Sequence, residues 1–507
     1  MKSTRFVATL AAALTAALVA ACSAGSSTNP GPSASGGGTQ GSDKLTVGLV
    51  LEPASLDFTT NDGAAIPQAL LYNVYETLVK LDQNGDIKPA LATSWKLSDD
   101  RKTYTFELTD KAKFTNGTPF TAKDAVFSID RVKNDWTSSL KAAMDVVADA
   151  KAVSDTQLQV TLKQPSNDWL YKMTTRIGAM MTESGIANLA TKPVGTGPYE
   201  FSAWNRGDSI TLKSNPNYWG TKPHYGDVTF KYFKDPTALN NALLTGTINV
   251  IGTVQAPETL KQFEGNSKYQ VIEGTTNGEV VLSFHNGKAP MNNLKVRQAV
   301  RYAINHKALV DTCWAGYGTL IGSMVPPTDP WYEDLTGLYP YDLAKAKALV
   351  QETGVGNTTL QLRIPSVPYA VSCGQVVKSD LEQAGFKVAL DQLEFPVWLT
   401  EVFKNADYDM SIVAHVEPRD LGAVFGNPDY YTRYDNKQVQ ADLAKADTGA
   451  PEDQVAYMKA AAKTLSEDAA ADFLFLLPNL IVADNGITGL PKNAVSESFD
   501  LSQVGRS

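Results

Sequence analysis

The chain has 507 residues and carries 45 Lys and Arg against 54 Asp and Glu, a formal net charge of −9. With no basic stripe to neutralise phosphates, that balance excludes nucleic acid as a partner class. Four histidines and three cysteines leave few ways to build a metal or acyl-transfer centre, and the length exceeds what one hydrophobic core serves, so two or three domains are expected.

In chain order, Lys2 and Arg5 precede an uncharged run from Phe6 to Ala21 that ends in Val19-Ala20-Ala21-Cys22. A basic head, an apolar middle and a small-residue cleavage site predict a signal peptide over residues 1–21, too short and too Ala-rich for a spanning helix. Val-Ala-Ala-Cys resembles the lipobox of bacterial lipoproteins, which implies that Cys22 is the lipid-attachment residue. The bland alternative is a plain signal peptide with an incidental cysteine. From Ser23 to Ser42 the chain is almost all Ser, Gly, Thr, Pro and Ala, so residues 22–43 read as a flexible linker between anchor and folded body.

Lys44 to Leu51 alternates as a strand, and Ile66 to Leu81 carries a helical pattern. Asn84-Gly85 between short apolar segments signals a hairpin. Thr103 to Leu108 and Leu158 to Lys163 alternate as strands. Thr121-Ala122-Lys123-Asp124 reads as a capping-box start to a helix with Ala125, Val126, Ile129 and Val132 on its apolar face. Tyr199 to Trp204 with Ser209 to Lys213 predicts another hairpin, Thr229 to Phe233 a strand, and Asp235-Pro236 a helix start. Beyond a strand at Val280 to His285, predicted helices at 294–304, 341–352, 371–384 and 396–405 alternate with strands at 359–364, 386–391 and 408–414. That alternation predicts a largely parallel sheet covered on both faces. Helices at 437–447 and 452–467 then precede an apolar stretch, Asp472 to Leu477 and Leu480 to Ala483, interrupted by Pro478.

Recognised catalytic motifs are missing from the sequence. His224, His285, His306 and His415 are scattered, and Pro418 breaks any His-Glu-x-x-His helix at His415. There is no Gly-x-Ser-x-Gly, phosphate loop or Cys-x-x-Cys. Gly195-Thr196-Gly197-Pro198 precedes a strand rather than a helix, so it reads as a tight turn and not as a dinucleotide fingerprint. Beyond Cys22, Cys313 and Cys373 either bridge each other, as an oxidising compartment permits, or stay as two buried thiols.

Several ordered segments together resemble one family: Leu56-Asp57, Asn73-Val74-Tyr75-Glu76-Thr77-Leu78, Pro89 to Trp95, Tyr104 to Leu108, Phe114 to Asp124, Pro193 to Tyr199, Asn215 to Gly220 and Val296 to Asn305. From about residue 44 to the end the chain is similar to the bacterial extracellular solute-binding proteins of family 5, the dipeptide, oligopeptide and nickel receptors of ABC importers. The large aromatics Trp95, Phe106, Phe114 and Tyr199 read as core packing. The resemblance implies an α/β, two-lobe periplasmic-binding-protein-like fold (type II) with an extra subdomain on the first lobe. Lobe I would be 44–76 with 188–277 and 474–507, the extra subdomain 77–187 and lobe II 278–473, with crossings near 279–285 and 473–482.

Carried over by position, the family's ligand contacts fall on Asn61, Asp62, Gly63 and Ala64 of the first lobe. On the second they fall on Trp398 and on His415, Val416, Glu417 and Arg419. The chain departs from the peptide receptors, which show a Trp a few residues before an Asp. Glu417 suits an ammonium and Arg419 a carboxylate or phosphate-like group. The plain structural readings are a solvated Glu417–Arg419 ion pair and a turn-capping Asp62.

The expected function is capture of a peptide or similar small polar solute for an ABC permease, by an extracytoplasmic monomer held at the outer face of the cytoplasmic membrane through its N-terminal lipid. No cofactor, catalytic residue or metal is expected. Nickel chelates, sugars and opines stay open as ligands. The competing classes are an extracytoplasmic hydrolase using a carboxylate pair and a sensor or adhesion lipoprotein reusing the fold.

Overall fold

The structure, a computed structural model, describes residues 44–507. The expected signal peptide, Cys22 and the expected 22–43 linker lie outside the described residues. Ten strands form one mixed sheet running from Lys387–Leu393 at one edge through Thr359–Pro365, Met410–His415, Tyr269–Phe284, Ala471–Asp484, Val250–Ile251, Lys44–Leu49, Asp227–Tyr232 and Ser209–Ser214 to Tyr199–Asn205. The two long central strands pair antiparallel from Tyr269 opposite Asp484 to Ser283 opposite Ala471. Their ends lie in opposite halves of the sheet, Val250 pairing with Ala483 and Glu279 with His415. They are therefore the crossings between the two halves.

The ladder breaks between Thr275 and Glu279. There Thr276 turns its hydroxyl to Leu477 O at 2.6 Å and takes the Gly278 N–H at 2.8 Å. Pro478 sits opposite Thr275 in the last pair before the break, and Thr275 O takes the Ala494 N–H at 2.9 Å, so the missing proline N–H leaves no carbonyl unsatisfied. For that reason the stretch read as interrupted by Pro478 is one strand, Ala471–Asp484.

The three alternating strands expected to lie parallel do so, Thr359–Pro365 pairing parallel with Lys387–Leu393 and with Met410–His415, and Lys44–Leu49 pairs parallel with Asp227–Tyr232 and Val250–Ile251. The sheet as a whole is mixed, because the crossing strands and the Tyr199–Ser214 hairpin pair antiparallel. Chains that cross from either half arrive in opposite directions, which periodicity along one segment does not encode.

The helical pattern over Ile66 to Leu81 is corrected. Only Ala65–Leu70 is helical, Tyr72 takes φ 62°, and Val79–Leu81 is a strand. Long-range polar bonds override the periodicity. Asn73 donates to Ala69 O at 3.1 Å and Phe499 O at 2.9 Å while its Oδ1 takes the Leu501 N–H. Buried Glu76 accepts from Thr196, Tyr218 and Trp219 at 2.8, 3.0 and 2.9 Å. Gly195 and Gly197 serve this junction by close approach rather than by a turn, since a Cβ there would lie 2.0 Å from Val74 O and 2.4 Å from Asn73 O.

The segment between holds a second antiparallel sheet in the order Ala92–Leu97, Thr103–Leu108, Gln157–Leu162 and Val147–Ser154. The helix Ala122–Asp135 covers it with Ala125, Ile129 and Val132, and its N-terminus is closed by the Thr121 N–H on Asp124 Oδ2 at 3.0 Å. Phe106, Leu158 and Val160 join Leu45, Val47, Tyr199 and Phe230 in one continuous core, so this sheet packs onto the first half instead of standing apart. Each large apolar side chain so buried contributes about 1.5–3 kcal/mol.

Val280, Leu282, Leu362 and Ile412 centre a separate core in the other half. There Cys313, at the end of helix His306–Cys313, is disulfide-bonded to Cys373 of helix Pro368–Gln383 across a separation of 60 residues, Cα–Cα 4.9 Å. On the loop-entropy model such a closure contributes about 4 kcal/mol.

Candidate interlobe binding site

Where the strand Met410–His415 leaves the sheet, Val416 to Asp420 turns toward the first half. Val416 is exposed, Glu417 and Arg419 are half-buried, and His415 and Asp420 are buried. Arg419 takes φ 56°, a strained value for a side chain of its size, and reaches across the gap between the halves. Its guanidinium lies 3.6 Å over the ring of Tyr171 and 4.7 Å from Trp331, with Asp329 Oδ1 at 3.6 Å from Nε. Arg419 therefore pairs with Asp329 and not with Glu417.

Further contacts join the halves at the same seam. Lys172 donates to Pro418 O at 3.3 Å. Asp447 accepts from Ser166 Oγ at 2.7 Å and from Asp168 N at 3.1 Å, and Asn167 donates to Ala446 O and Gly449 O.

The loop Asn61 to Ala64 faces this seam through Arg176. Arg176 is fully buried and donates to Asp62 O at 2.8 Å while its Nε and backbone N bind the two oxygens of Glu497 at 2.7 Å each. The Asp62 carboxylate accepts from Ser138, and Asn61 Oδ1 takes the Gly63 N–H at 2.7 Å. Gly63 O takes the N–H of Ile66, and Ala64 opens the helix Ala65–Leu70. Burial alone would weaken the Arg176 cation, but Glu497, then Glu417 and Asp62, surround it with negative charge and hold it more strongly protonated than usual.

Around that charge sit carboxyls with raised affinity for protons. Burial pushes Glu417 up, Arg176 offsetting the rise and Glu497 adding to it. Asp420 is pushed well up by burial and then by Glu417. Glu279, on the crossing strand, is pushed well up by burial and then by Asp420. Asp329 is raised to about 6 by burial, against the pull of Arg419.

His415 is not a cation that could compensate them. It lies directly across the ladder from Glu279, its Nδ1 is 3.8 Å from Asp420 Oδ2 and its Nε2 3.0 Å from Tyr431 OH. Burial drives it down to about 4, so it is neutral at physiological pH. Tyr431 in turn meets Ser283 Oγ at 2.7 Å.

Trp398 is 3 % exposed and donates to Ser411 Oγ at 3.0 Å. It packs with Val402, Tyr408, Val413 and Tyr431, and Tyr431 lies between it and His415. Around it Phe395, Val397, Leu399 and Phe403 stay partly exposed.

The seam thus brings together Asp62, His415, Glu417 and Arg419 from among the sequence candidates and places Trp398 one layer behind them. Sequence reasoning missed Arg176, Glu279, Asp329 and Glu497. Of these only Glu279 left a trace, as a charge at the start of an otherwise apolar strand. Among the described residues no group of three or more His, Cys, Asp or Glu is arranged to hold a metal ion, and no helix is long and apolar enough to cross a membrane.

Two lobes around a charged seam, crossed by two strands and with an extra sheet on one of them, define a type II binding-protein fold. Residues 86–441 match the model of the bacterial extracellular solute-binding proteins, family 5 Middle. The chain belongs to that family, whose members are extracellular or periplasmic binding proteins.

It is 32% identical over 348 residues to the nickel-binding periplasmic protein of Escherichia coli (strain K12), covering 62% of this chain and 65% of that one. To the glutathione-binding protein GsiB of the same strain it is 29% identical over 351 residues, 67% of this chain and 68% of the other. The match thus spans about two thirds of the length of these curated relatives. The fold is that of the periplasmic binding protein DppA from Helicobacter pylori in complex with peptide STSA, with TM-score 0.82 and 23% identity over 91% of this chain and 98% of that one.

Proposed function

We propose that this chain captures a peptide or similar small polar solute between its lobes and delivers it to an ABC permease, tethered by a lipid on Cys22 after removal of residues 1–21. In this reading lobe I comprises 44–76, 188–277 and 474–507, the extra subdomain 77–187 and lobe II 278–473. The observation that carries it is Glu417, a half-buried carboxyl at the seam with no cation of the protein paired to it among the described ion pairs. A carboxylate enclosed by closure and left unpaired is costly, and a ligand ammonium removes that cost. The peptide and glutathione named for the relatives both carry such an ammonium. Bare nickel fits less well, because the described carboxyls and histidines do not converge as ligands.

A charge-assisted hydrogen bond contributes about 1.5–3 kcal/mol, so Glu417→Gln should weaken peptide binding about ten- to a hundredfold without unfolding the protein. N-acetylating the ligand should cost the same. Calorimetry on the four combinations gives their coupling, and if the two losses simply add, Glu417 does not hold the amine. Mass spectrometry of the ligand retained through purification supplies the peptide to use.

A further inference from the structure

We propose that Glu279 is a second ligand-binding carboxylate and that the ligand is dicationic, its amino terminus facing Glu417 and Asp420 and a basic side chain facing Glu279. This rests on the binding reading above and narrows it to a class of solute. Glu279 sits at the end of the ladder break in the crossing strand, between the halves of the sheet. It is 2 % exposed, and its Oε2 has no hydrogen-bond partner. Orphaned buried oxygens are rare in native proteins, and a buried carboxylate without donors is among the costliest groups to enclose.

The neighbours cannot supply the missing donor. Across the ladder stand His415, neutral and bonded to Tyr431, and on the other side the apolar Leu476. From the loops around come Asp420, Asp329 and Glu417, all acidic and all raising the proton affinity of Glu279. The cations of the seam are engaged elsewhere: Arg176 with Glu497, Arg419 with Asp329, and Lys172 with Asp168 at 3.6 Å.

Arg176 and Lys172 act on Glu417 and Asp420 from ion pairs of their own, whereas Glu279 has no cation among the described ion pairs or among the groups that shift it. One ligand ammonium at Glu417 and Asp420 would leave Glu279 uncompensated in an enclosed site, and a second positive charge at Glu279 removes that cost. Nature retains such a destabilising group where function uses it.

The test uses four tripeptide probes, Arg-Ala-Ala and Ala-Arg-Ala with their citrulline counterparts, each free and N-acetylated. They are titrated calorimetrically into the native protein and into Glu279→Gln. Citrulline keeps the shape of arginine and removes its charge. On the native protein replacing arginine by citrulline should weaken binding ten- to a hundredfold at one of the two positions, and on Glu279→Gln by less than threefold. N-acetylation should cost both proteins equally. Glu279→Gln should melt no lower than the native protein without ligand, which excludes misfolding as the cause.

Equal affinity of the native protein for arginine and citrulline probes, with N-acetylation still costly, overturns the role of Glu279 and leaves the amine reading standing. An arginine preference lost in Glu279→Gln together with indifference to acetylation supports Glu279 and overturns the amine reading. Failure of every probe to bind overturns both.

Discussion

Asp329 offers a case in which removing one partner of an ion pair should make the empty protein more stable. Its carboxyl is raised to about 6 from the ordinary 3.8, burial outweighing the attraction of Arg419 at 3.6 Å. Well below pH 3.8 the group is protonated both folded and unfolded and contributes nothing. Between the two values the unfolded chain has lost the proton while the native one keeps it, so stability falls by about 1.4 kcal/mol per pH unit. Over the interval of about two units this reaches about 3 kcal/mol by pH 7 and is constant above.

Asparagine has the shape of the protonated acid and cannot titrate. Asp329→Asn should therefore match the native protein near pH 4 and exceed it by about 3 kcal/mol at pH 7. General experience with buried pairs points the other way, since stripping one partner from a buried cation costs about 3–5 kcal/mol. Here Arg419 keeps Tyr171 and Trp331 against its faces, so its charge stays covered. Urea denaturation of both proteins at half-unit steps from pH 4 to 7.5 gives the difference directly, with the rest of the titrating surface cancelling. A difference that stays flat, or that favours the native protein as pH rises, refutes the burial argument.

Two further outcomes follow from the seam and the leader. Asp447→Ala removes the acceptor of Ser166 and Asp168, so the unliganded protein should show a larger radius of gyration by X-ray scattering and bind its ligand several-fold more weakly; an unchanged radius would mean these contacts do not hold the lobes together. Cys22→Ala should release the mature protein from the membrane fraction into the soluble one, and retention in the membrane refutes the lipid anchor.

What the sequence disclosed and what it hid divide along a physical line. Elements whose burial is set by one repeating face were legible: helices at 437–448 and 451–467 and strands at 359–365 and 410–415 lie within two residues of their expected ends. Expectation failed where distant polar groups govern the backbone. Asn73 and Glu76 end a helical pattern by bonding to residues more than a hundred positions away. The site behaved in the same way. Asp62, Glu417 and Arg419 were proposed from the family resemblance, Glu417 also from its position after a strand, but the partners that decide their surroundings could not be read. Arg419 is committed to Asp329 and two aromatic rings, and Arg176 to Glu497, pairings with no periodic signature. Trp398 spends its indole N–H on Ser411, a pairing with no periodic signature either.

The charge arrangement explains why binding and closure should be one event. Were the lobes to part, Glu417 and Asp420 would face water and their charges would cost little; Tyr171, Lys172 and Arg176 across the seam exclude that water. In the empty molecule the acids can then stay enclosed only by taking up protons, which the raised affinities of Glu279, Glu417 and Asp420 express. A cationic ligand replaces those protons, so its binding should release protons and strengthen as pH rises toward the raised titration range of these acids. The gain from neutralising the acids is available only in the closed form, because only there are they desolvated. On the proposed reading, the ligand's differential affinity for the closed state, which any population shift requires, would be supplied by the same carboxyls that make the empty closed state unfavourable.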